Sequence, residues 1–346
     1  MEKMKAVIFR QAGSIDNLEN AEVPKPVPEK GEVLVRVKAC GLNHLDYWLL
    51  SGAVKPPMSM PHILGCDIAG TVEACGPGVR GIEKGKRIIV APGIRGGKSE
   101  HYRAGIWDSL APGYQIVGLQ NNGGYAEFVK VPAENIIPVS TKLSFEEWAA
   151  IPLVFLTAWH MLVTHAKLKK NETVLIQAAG SGIGSAAIQI AKYLGAQVIT
   201  TVGQNWKIKL AKKIGADHVI NYQKKDFVTE VKTLTKNSGV DVVFEHIGPE
   251  TMPQSLQCLK KRGRMVHCGV TSGATVSFDL RQLYMNQIQI QGSYMGGFKE
   301  LGTVIQLVEK GKLKPVVDKI FPLREAKAAL SHMAARKNFG KIILKP

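Results

Sequence analysis

The stretch Glu172–Leu194, ETVLIQAAGSGIGSAAIQIAKYL, constrains this chain more than any other. Val174, Leu175 and Ile176 form a short apolar run that enters a loop of small residues, Ala178-Ala179-Gly180-Ser181-Gly182-Ile183-Gly184. Ile183, Ala187, Ile190 and Leu194 then recur at helical spacing. Strand, tight turn and helix, in that order, make the first half of a dinucleotide-binding unit. Glycine permits the turn and lets the backbone approach a pyrophosphate, whose charge rests at the helix N-terminus. The bland alternative is an ordinary α/β turn. The apolar strand before the loop and the patterned helix after it weigh against that.

From Val174 to residue 270 strand and helix patterns alternate, which predicts a parallel sheet with crossover helices. Upstream the pattern changes. Strands are expected over 4–10, 32–39, 87–92 and within 63–79 and 123–139, with one helix over 41–52. That is a compact, mostly β unit, interrupted by a long loop at 93–113. Ser144 and Glu147 form a capping box that opens a helix, which Pro152 should kink. A last sheet strand is expected at 288–295, then a helix near 298–310, a strand near 314–320, a helix near 324–336 and a terminal strand. The 346 residues exceed one typical core. The expected division is a mostly β unit over 1–154, an inserted α/β unit over 155–295, and a return to the first unit over 296–346.

Composition excludes several classes. Hydrophobic residues are 45% and charged residues 21%, as in ordinary soluble domains. No run reads as long enough to span a bilayer, and MEKMKAVIFR carries no apolar signal core. The five cysteines are scattered and odd in number, which argues for reduced thiols and a cytoplasmic location. The net charge of +17 favours anionic partners such as nucleotide phosphates or coenzyme A. Its lysines are spread along helices (Lys207, Lys209, Lys212, Lys213) with no compact basic arm, so nucleic acid is not the expected partner.

The coenzyme can be narrowed further. An NAD-binding unit wants an acidic residue at the end of its second strand, for the ribose 2′-hydroxyl. Here that strand, QVITTV, is followed by Gly203, Gln204, Asn205 and Trp206, with no carboxylate. Lys207 comes one short turn later and can reach a 2′-phosphate; Tyr222 ends the next strand and can lie against the adenosine. NADPH is therefore expected over NAD. The alternative for Lys207 is a surface lysine on a lysine-rich helix.

The segments VRVKACGLNHLD, ILGCDIAG, GGYAEFVKVP, IPLVFLTAWHML, VLIQAAGSGIGSAAIQIAKYLGAQVI, KIGADHVINY, GRMVHCGV and the closing FGKIIL resemble the medium-chain dehydrogenase/reductase superfamily across nearly the whole chain. The resemblance implies a GroES-like catalytic domain with an inserted Rossmann domain, a doubly wound parallel sheet, and hydride transfer. It also exposes departures. Zinc members carry Cys where this chain has Asn43, His-Glu where it has Cys66-Asp67, and a third ligand near Leu153. A catalytic zinc needs three protein ligands, so none is expected. The four cysteines of the family's structural zinc correspond to Gly96, Ser99, Tyr102 and Ala111, leaving Tyr102 and Trp107 to hold the loop by packing. Cys40, His44, His62 and Cys66 could converge on a different metal, although buried small residues are the plainer reading of the two cysteines. Asn43-x-x-Asp46 resembles the zinc-free quinone oxidoreductases and enoyl reductases.

Within that branch the resemblance places Asn43, Asp46, Tyr47 and Trp48 beside the substrate. Asn43 is the expected hydrogen-bond donor to a carbonyl oxygen, with helix N-capping as its alternative. Tyr47 and Trp48 are expected as a stacking wall or ring donors. Asp46 is a candidate that turn geometry could equally explain. The coenzyme is expected on Thr157, Gly180, Ser181, Gly182, Ile183, Gly184, Gly203, Gln204, Lys207, Tyr222, His246, Ile247, Gly269, Val270 and Met295. In the glycine fingerprint Ala179 and Ser181 take the first two glycine places and Gly184 keeps the third. Strand 288–295 is the expected edge of a homodimer, or of a dimer within a tetramer. The leading expectation is zinc-independent, NADPH-dependent reduction of a quinone or an α,β-unsaturated carbonyl, enoyl thioesters included. Alternatives are an alcohol dehydrogenase with a rebuilt or absent metal site, and a non-catalytic NADPH-binding protein with a crystallin-like or RNA-binding role.

Overall fold

A computed structural model describes residues 2–97 and 108–346. They form two compact units, Met1–Leu153 with Gly297–Leu301 and Pro315–Pro346, and Val154–Gly296 with Gly302–Lys314.

The first unit begins with an antiparallel pair, β1 (Lys3–Ile8) and β2 (Glu19–Pro24). Its main sheet uses β3 (Glu32–Gly41), β4 (Asp67–Cys75) and β5 (Arg87–Val90). Two short strands, β6 (Gly93–Ile94) and β7 (Gln115–Ile116), pair with each other. Then come β8 (Phe128–Pro132) and β9 (Ile136–Pro138). Helix α1 (His44–Ser51) follows β3 directly. β3 is the hub, because its ten residues pair with β4, β8 and the C-terminal strand of the chain.

The Ser144 capping box forms: Ser144 Oγ accepts the Glu147 N–H at 3.1 Å, and Glu147 Oε2 accepts the Ser144 N–H at 2.8 Å. The helix it opens, α2 (Phe145–Trp148), stops after one turn. Pro152 then begins a separate helix, α3 (Pro152–Trp159). The expected kink is thus a break. Proline fits the first position of a helix, where no N–H is needed. A π-helical turn, His160–His165, continues α3. The helical stretch Phe145–His165 does reach membrane-spanning length and apolarity, contrary to the expectation from sequence, but 72% of its 18-residue apolar window is buried inside the protein, as a core helix would be.

The second unit alternates strictly. Strands β10 (Thr173–Ile176), β11 (Gln197–Val202), β12 (His218–Asn221), β13 (Val240–Glu245), β14 (Leu259–His267) and β15 (Gln289–Gly292) form one parallel sheet in the order β12-β11-β10-β13-β14-β15. The helices are α4 (Gly182–Tyr193), α5 (Trp206–Lys213), α6 (Phe227–Leu234), α7 (Met252–Gln257) and α8 (Leu280–Met285). Leu175, Ile199, Val243 and Met265 pack against Val231 and Leu256 in one of its cores. The order reverses between β10 and β13, which is where such sheets bind ligands. β15 covers only four residues of the expected 288–295 and, among the described residues, pairs with β14 alone.

Helix α9 (Phe298–Glu309) leads back to the first unit, where β16 (Val317–Pro322), α10 (Ala326–Ala334) and β17 (Lys341–Lys345) complete it. The seven-stranded sheet runs β16-β17-β3-β4-β5-β9, with β8 on β3. The expected return of all of 296–346 is corrected in one respect: residues 302–314 group with the second unit. Neither β2 nor α8 was anticipated from the pattern. Ser99, Tyr102 and Trp107 lie outside the described residues.

Candidate functional site

In the first unit, the positions that resemble zinc ligands meet in a closed polar cluster. Lys341 on β17 extends its ammonium into the core and donates to Leu42 O at 2.5 Å, Asn43 Oδ1 at 2.7 Å and Asp67 Oδ2 at 2.8 Å. All three ammonium hydrogens are then used. Because Lys341 can only donate, the amide oxygen of Asn43 must face it. Asn43 Nδ2 therefore donates to Asp67 Oδ2 at 2.9 Å and to Cys66 Sγ at 3.4 Å. The other oxygen of Asp67 accepts the Leu153 N–H at 2.8 Å, at the first turn of α3.

This arrangement corrects the role expected of Asn43. Its side chain is buried and spends both amide hydrogens inside the protein, leaving none for a substrate oxygen. Asp46 is equally committed. Oδ2 accepts the Asn43 N–H at 2.8 Å and the Tyr125 hydroxyl at 2.9 Å, and Oδ1 accepts the Gly65 N–H at 3.2 Å. Asp46 thus ties α1 to the 65 turn and to Tyr125, which is a structural task. Burial pushes its carboxyl up to about 6. Tyr47 and Trp48 differ, because they remain half-buried on α1, with Trp48 beside the His44 ring at 6.3 Å.

The donor set does not fit a zinc ion. Asn43 offers an amide oxygen already held by an ammonium, Leu153 offers no side-chain ligand, and Cys66 is a hydrogen-bond acceptor. Burial, with Asp67 and Asp46 adding to it, pushes the Cys66 thiol well above its ordinary range and opposes the thiolate that a metal requires. His62 points elsewhere, to Gly118 O at 3.2 Å and edge-on to Phe9. Among the described residues, no three of His, Cys, Asp or Glu are grouped to hold a metal ion.

In the second unit the coenzyme candidates gather at the C-terminal ends of the parallel strands. Ser181 caps α4: its Oγ accepts the Gly184 N–H at 2.9 Å and donates to Ala178 O at 2.9 Å. A side chain at 184 would bring its first carbon 2.3 Å from Ala178 O, so only glycine lets the helix approach the loop this closely. Gly180, Gly182 and Ile183 lie at the same turn, where the helix N-terminus suits a pyrophosphate. His246 and Ile247 follow β13, Gly269 and Val270 follow β14, and Met295 follows β15. Thr157 lies on α3. Three buried atoms, Thr157 Oγ1, His267 Nδ1 and Ser293 Oγ, have no hydrogen-bond partner among the described residues. Polar atoms of this kind are what a bound coenzyme would satisfy.

Gly203, Gln204, Lys207 and Tyr222 gather where β11 and β12 end. Tyr222 lies across Gly203, so close that a first side-chain carbon at 203 would meet the phenol oxygen at 2.6 Å. A side chain at 203 would have to displace the tip of the Tyr222 ring. Lys207 sits in the first turn of α5, largely buried, its ammonium 5.2 Å from the centre of the Trp206 ring. The Trp206 indole in turn donates to Gln204 Oε1 at 2.5 Å.

Two residues of the two sites escaped the reading of the sequence. Lys341 forms the buried pair of the first with Asp67, and Glu245 is a buried carboxylate at the end of β13. The available signal was a charge inside an apolar strand pattern, GKIIL in one case and VDVVFE in another.

Comparisons with known proteins agree with this architecture. Residues 29–141 match the Alcohol dehydrogenase GroES-like domain family, and residues 182–310 match the Zinc-binding dehydrogenase family. A solved structure of an NAD-dependent alcohol dehydrogenase superposes with a TM-score of 0.95 at 41% identity, covering 99% of this chain and 100% of that one. The chain is 32% identical to a 2-haloacrylate reductase of a Burkholderia species, over 99% of each protein. It is 31% identical to quinone oxidoreductase 1 of Escherichia coli K12, over 98% of each. With a GroES-like unit, an inserted Rossmann unit and this similarity along its whole length, the chain belongs to the medium-chain dehydrogenase/reductase superfamily of oxidoreductases, in its quinone oxidoreductase-like branch.

Proposed function

We propose that this protein uses NADPH, without zinc, to reduce a quinone or an α,β-unsaturated carbonyl compound, enoyl thioesters included. The observation that carries the proposal is the closed cluster at Asn43, Cys66, Asp67 and Lys341, where ammonium and amide groups hold the atoms that a metal would need. Without a Lewis acid a simple alcohol is hard to oxidise, whereas a conjugated acceptor takes hydride at carbon and spreads charge onto its oxygen. NADPH would supply the hydride. Ser181, Gly182, Ile183 and Gly184 would hold its pyrophosphate, Lys207 would meet its 2′-phosphate, and Tyr222 would lie against its adenosine. Tyr47 and Trp48, half-buried on α1, are the side chains left to face a planar acceptor. The 2-haloacrylate reductase and the quinone oxidoreductase among its relatives favour an electron-poor acceptor.

The same reading includes a homodimer. Among the described residues β15 pairs with β14 alone, and the neighbouring α8 exposes Leu280, Tyr284 and Met285 to solvent. An open strand edge beside exposed apolar side chains is suited to a second copy. The five cysteines are free, in keeping with a reducing, cytoplasmic setting.

The test is NADPH oxidation against a panel of quinones, enones, enoyl-coenzyme A esters and aldehydes, with NAD-linked alcohol oxidation run beside it. Consumption of NADPH with a quinone or enone, unchanged by a chelator, is expected. Alcohol oxidation with NAD that a chelator abolishes and zinc restores would overturn the proposal.

A further inference from the structure

Glu245 ends β13, one of the two central strands of the six-stranded sheet, and its carboxylate is fully buried. Oε1 accepts three successive backbone N–H groups, His246 at 3.0 Å, Ile247 at 2.7 Å and Gly248 at 3.3 Å. The Thr251 hydroxyl lies 3.0 Å from both oxygens, and the Ser255 hydroxyl donates to Oε2 at 3.0 Å.

Behind Ser255 runs a chain of hydrogen bonds that starts at the coenzyme loop. The Ala178 N–H, which can only donate, reaches Thr201 Oγ1 at 3.0 Å. The Thr201 hydroxyl donates to Gln177 Oε1 at 2.6 Å. Gln177 Nε2 donates to Ser255 Oγ at 2.9 Å, which leaves the single hydrogen of Ser255 for Glu245. Each donation runs toward Glu245, so the chain ends on a group that only accepts. That group is a carboxylate ion.

Every donor to this ion is neutral, and among the described residues no Lys or Arg forms an ion pair with it. The nearby imidazoles do not compensate it either. Burial disfavours the imidazolium form of His246 and of His267, the residue opposite Glu245 on β14, more than the charge of Glu245 favours it. The strand ends that would line the nicotinamide therefore carry a buried negative charge with no cation beside it. Burial leaves such a charge weakly screened.

We propose that Glu245 sets the redox preference of the bound coenzyme, favouring the oxidised, positively charged nicotinamide over the neutral reduced one. The inference rests on the proposed coenzyme site and deepens it. The ring is neutral when reduced and cationic once its hydride has gone to the acceptor carbon, with a solvent proton completing the product. A fixed anion at this end of the sheet stabilises that outcome. The site is thus poised to give hydride away rather than to collect it.

The experiment measures dissociation constants of NADP+ and NADPH on the full chain by calorimetry, for wild type, Glu245→Gln and Thr251→Val. Loss of the charge in Glu245→Gln is expected to raise the ratio of the NADP+ constant to the NADPH constant about tenfold. Thr251→Val removes a donor but no charge, and should weaken both forms alike. An unchanged ratio in Glu245→Gln, or equal weakening of both forms, would mean that Glu245 only shapes the loop, and the proposal fails. Should that variant not fold, Glu245→Asp keeps the charge on a shorter arm. It should bind more weakly with the wild-type ratio, and a ratio shifted about tenfold would overturn the proposal. Failure of wild type to bind either form sinks the coenzyme site as well; binding of both forms with an unmoved ratio sinks only the role of Glu245.

Discussion

The ammonium of Lys341 lies 2.8 Å from Asp67 Oδ2, and the two side chains are 3% and 0% exposed. Removing one partner of such a pair strands a buried charge, whereas removing both does not. Lys341→Met should therefore cost about 3–5 kcal/mol of stability. The double variant Lys341→Met, Asp67→Asn should recover much of that loss. Urea midpoints, with slopes checked for two-state behaviour, provide the measurement. Equal losses in the single and double variants would show that packing, and not charge, is what Lys341 supplies.

Coenzyme choice is tested where Tyr222 crosses Gly203. Gly203→Asp by itself should create a weaker preference for NADH than the same change made without Tyr222, because the new side chain must first displace the phenol. Adding Tyr222→Ala should let the aspartate reach a ribose and turn the preference. Lys207→Ala alone should narrow the preference for NADPH by about tenfold, equivalent to about 1.4 kcal/mol. An unchanged NADPH to NADH ratio of kcat/KM in Lys207→Ala would remove this lysine from the 2′-phosphate site.

Asp46 predicts a pH effect of unusual sign. Its folded carboxyl is raised from 3.8 to about 6, by burial above all. The folded state thus holds a proton that the unfolded chain has already released. Its stabilising contribution is complete below pH 3.8 and is lost as the pH rises through about 6, about 3 kcal/mol in all. Asp46→Asn should remove this component, so that the difference in stability between variant and wild type changes between pH 4 and 6. Denaturant titrations across that range measure it. A parallel pair of curves would show that Asp46 titrates as an ordinary carboxylate.

The proposed homodimer can be probed on α8. Tyr284 and Met285 are 66% and 67% exposed beside the open edge of β15. Tyr284→Asp with Met285→Asp should shift the protein from dimer to monomer in light scattering while leaving its far-ultraviolet dichroism unchanged. A wild-type protein that is already monomeric at micromolar concentration would refute the interface.

The sequence shows the alternation of the second unit plainly, because each parallel strand is an apolar run and each crossover helix has its own stripe. Gly184 was legible for the same reason: a close approach of helix to loop leaves one residue type at that place. The polar cluster was legible only in part. Asn43 and Asp46 stand out by spacing, but whether Asn43 has a free hydrogen depends on Lys341, which lies 298 positions away. Glu245 looks like the end of a strand until Thr251, Ser255 and three amides close around it. Pro152 signals an interruption, but nothing near it in sequence says that Asp67 will accept the Leu153 N–H and so cap α3. Periodicity reports which face of an element is apolar, and it is silent on which charged group will be buried against which.

The terminal strand gives the polar cluster a place in time as well as in space. Asn43 and Asp67 are synthesised early, and the ammonium that neutralises them belongs to β17, after the whole inserted unit. Until β17 docks on β3, Asp67 has no cationic partner in the core and the first unit lacks a central strand of its sheet. The inserted unit, whose strands and helices are contiguous from 173 to 292, can assemble first during translation. Completion of the first unit is thus a late, long-range event in folding, and a nascent chain halted before β17 would carry an unfinished acidic core for chaperones or proteases to find.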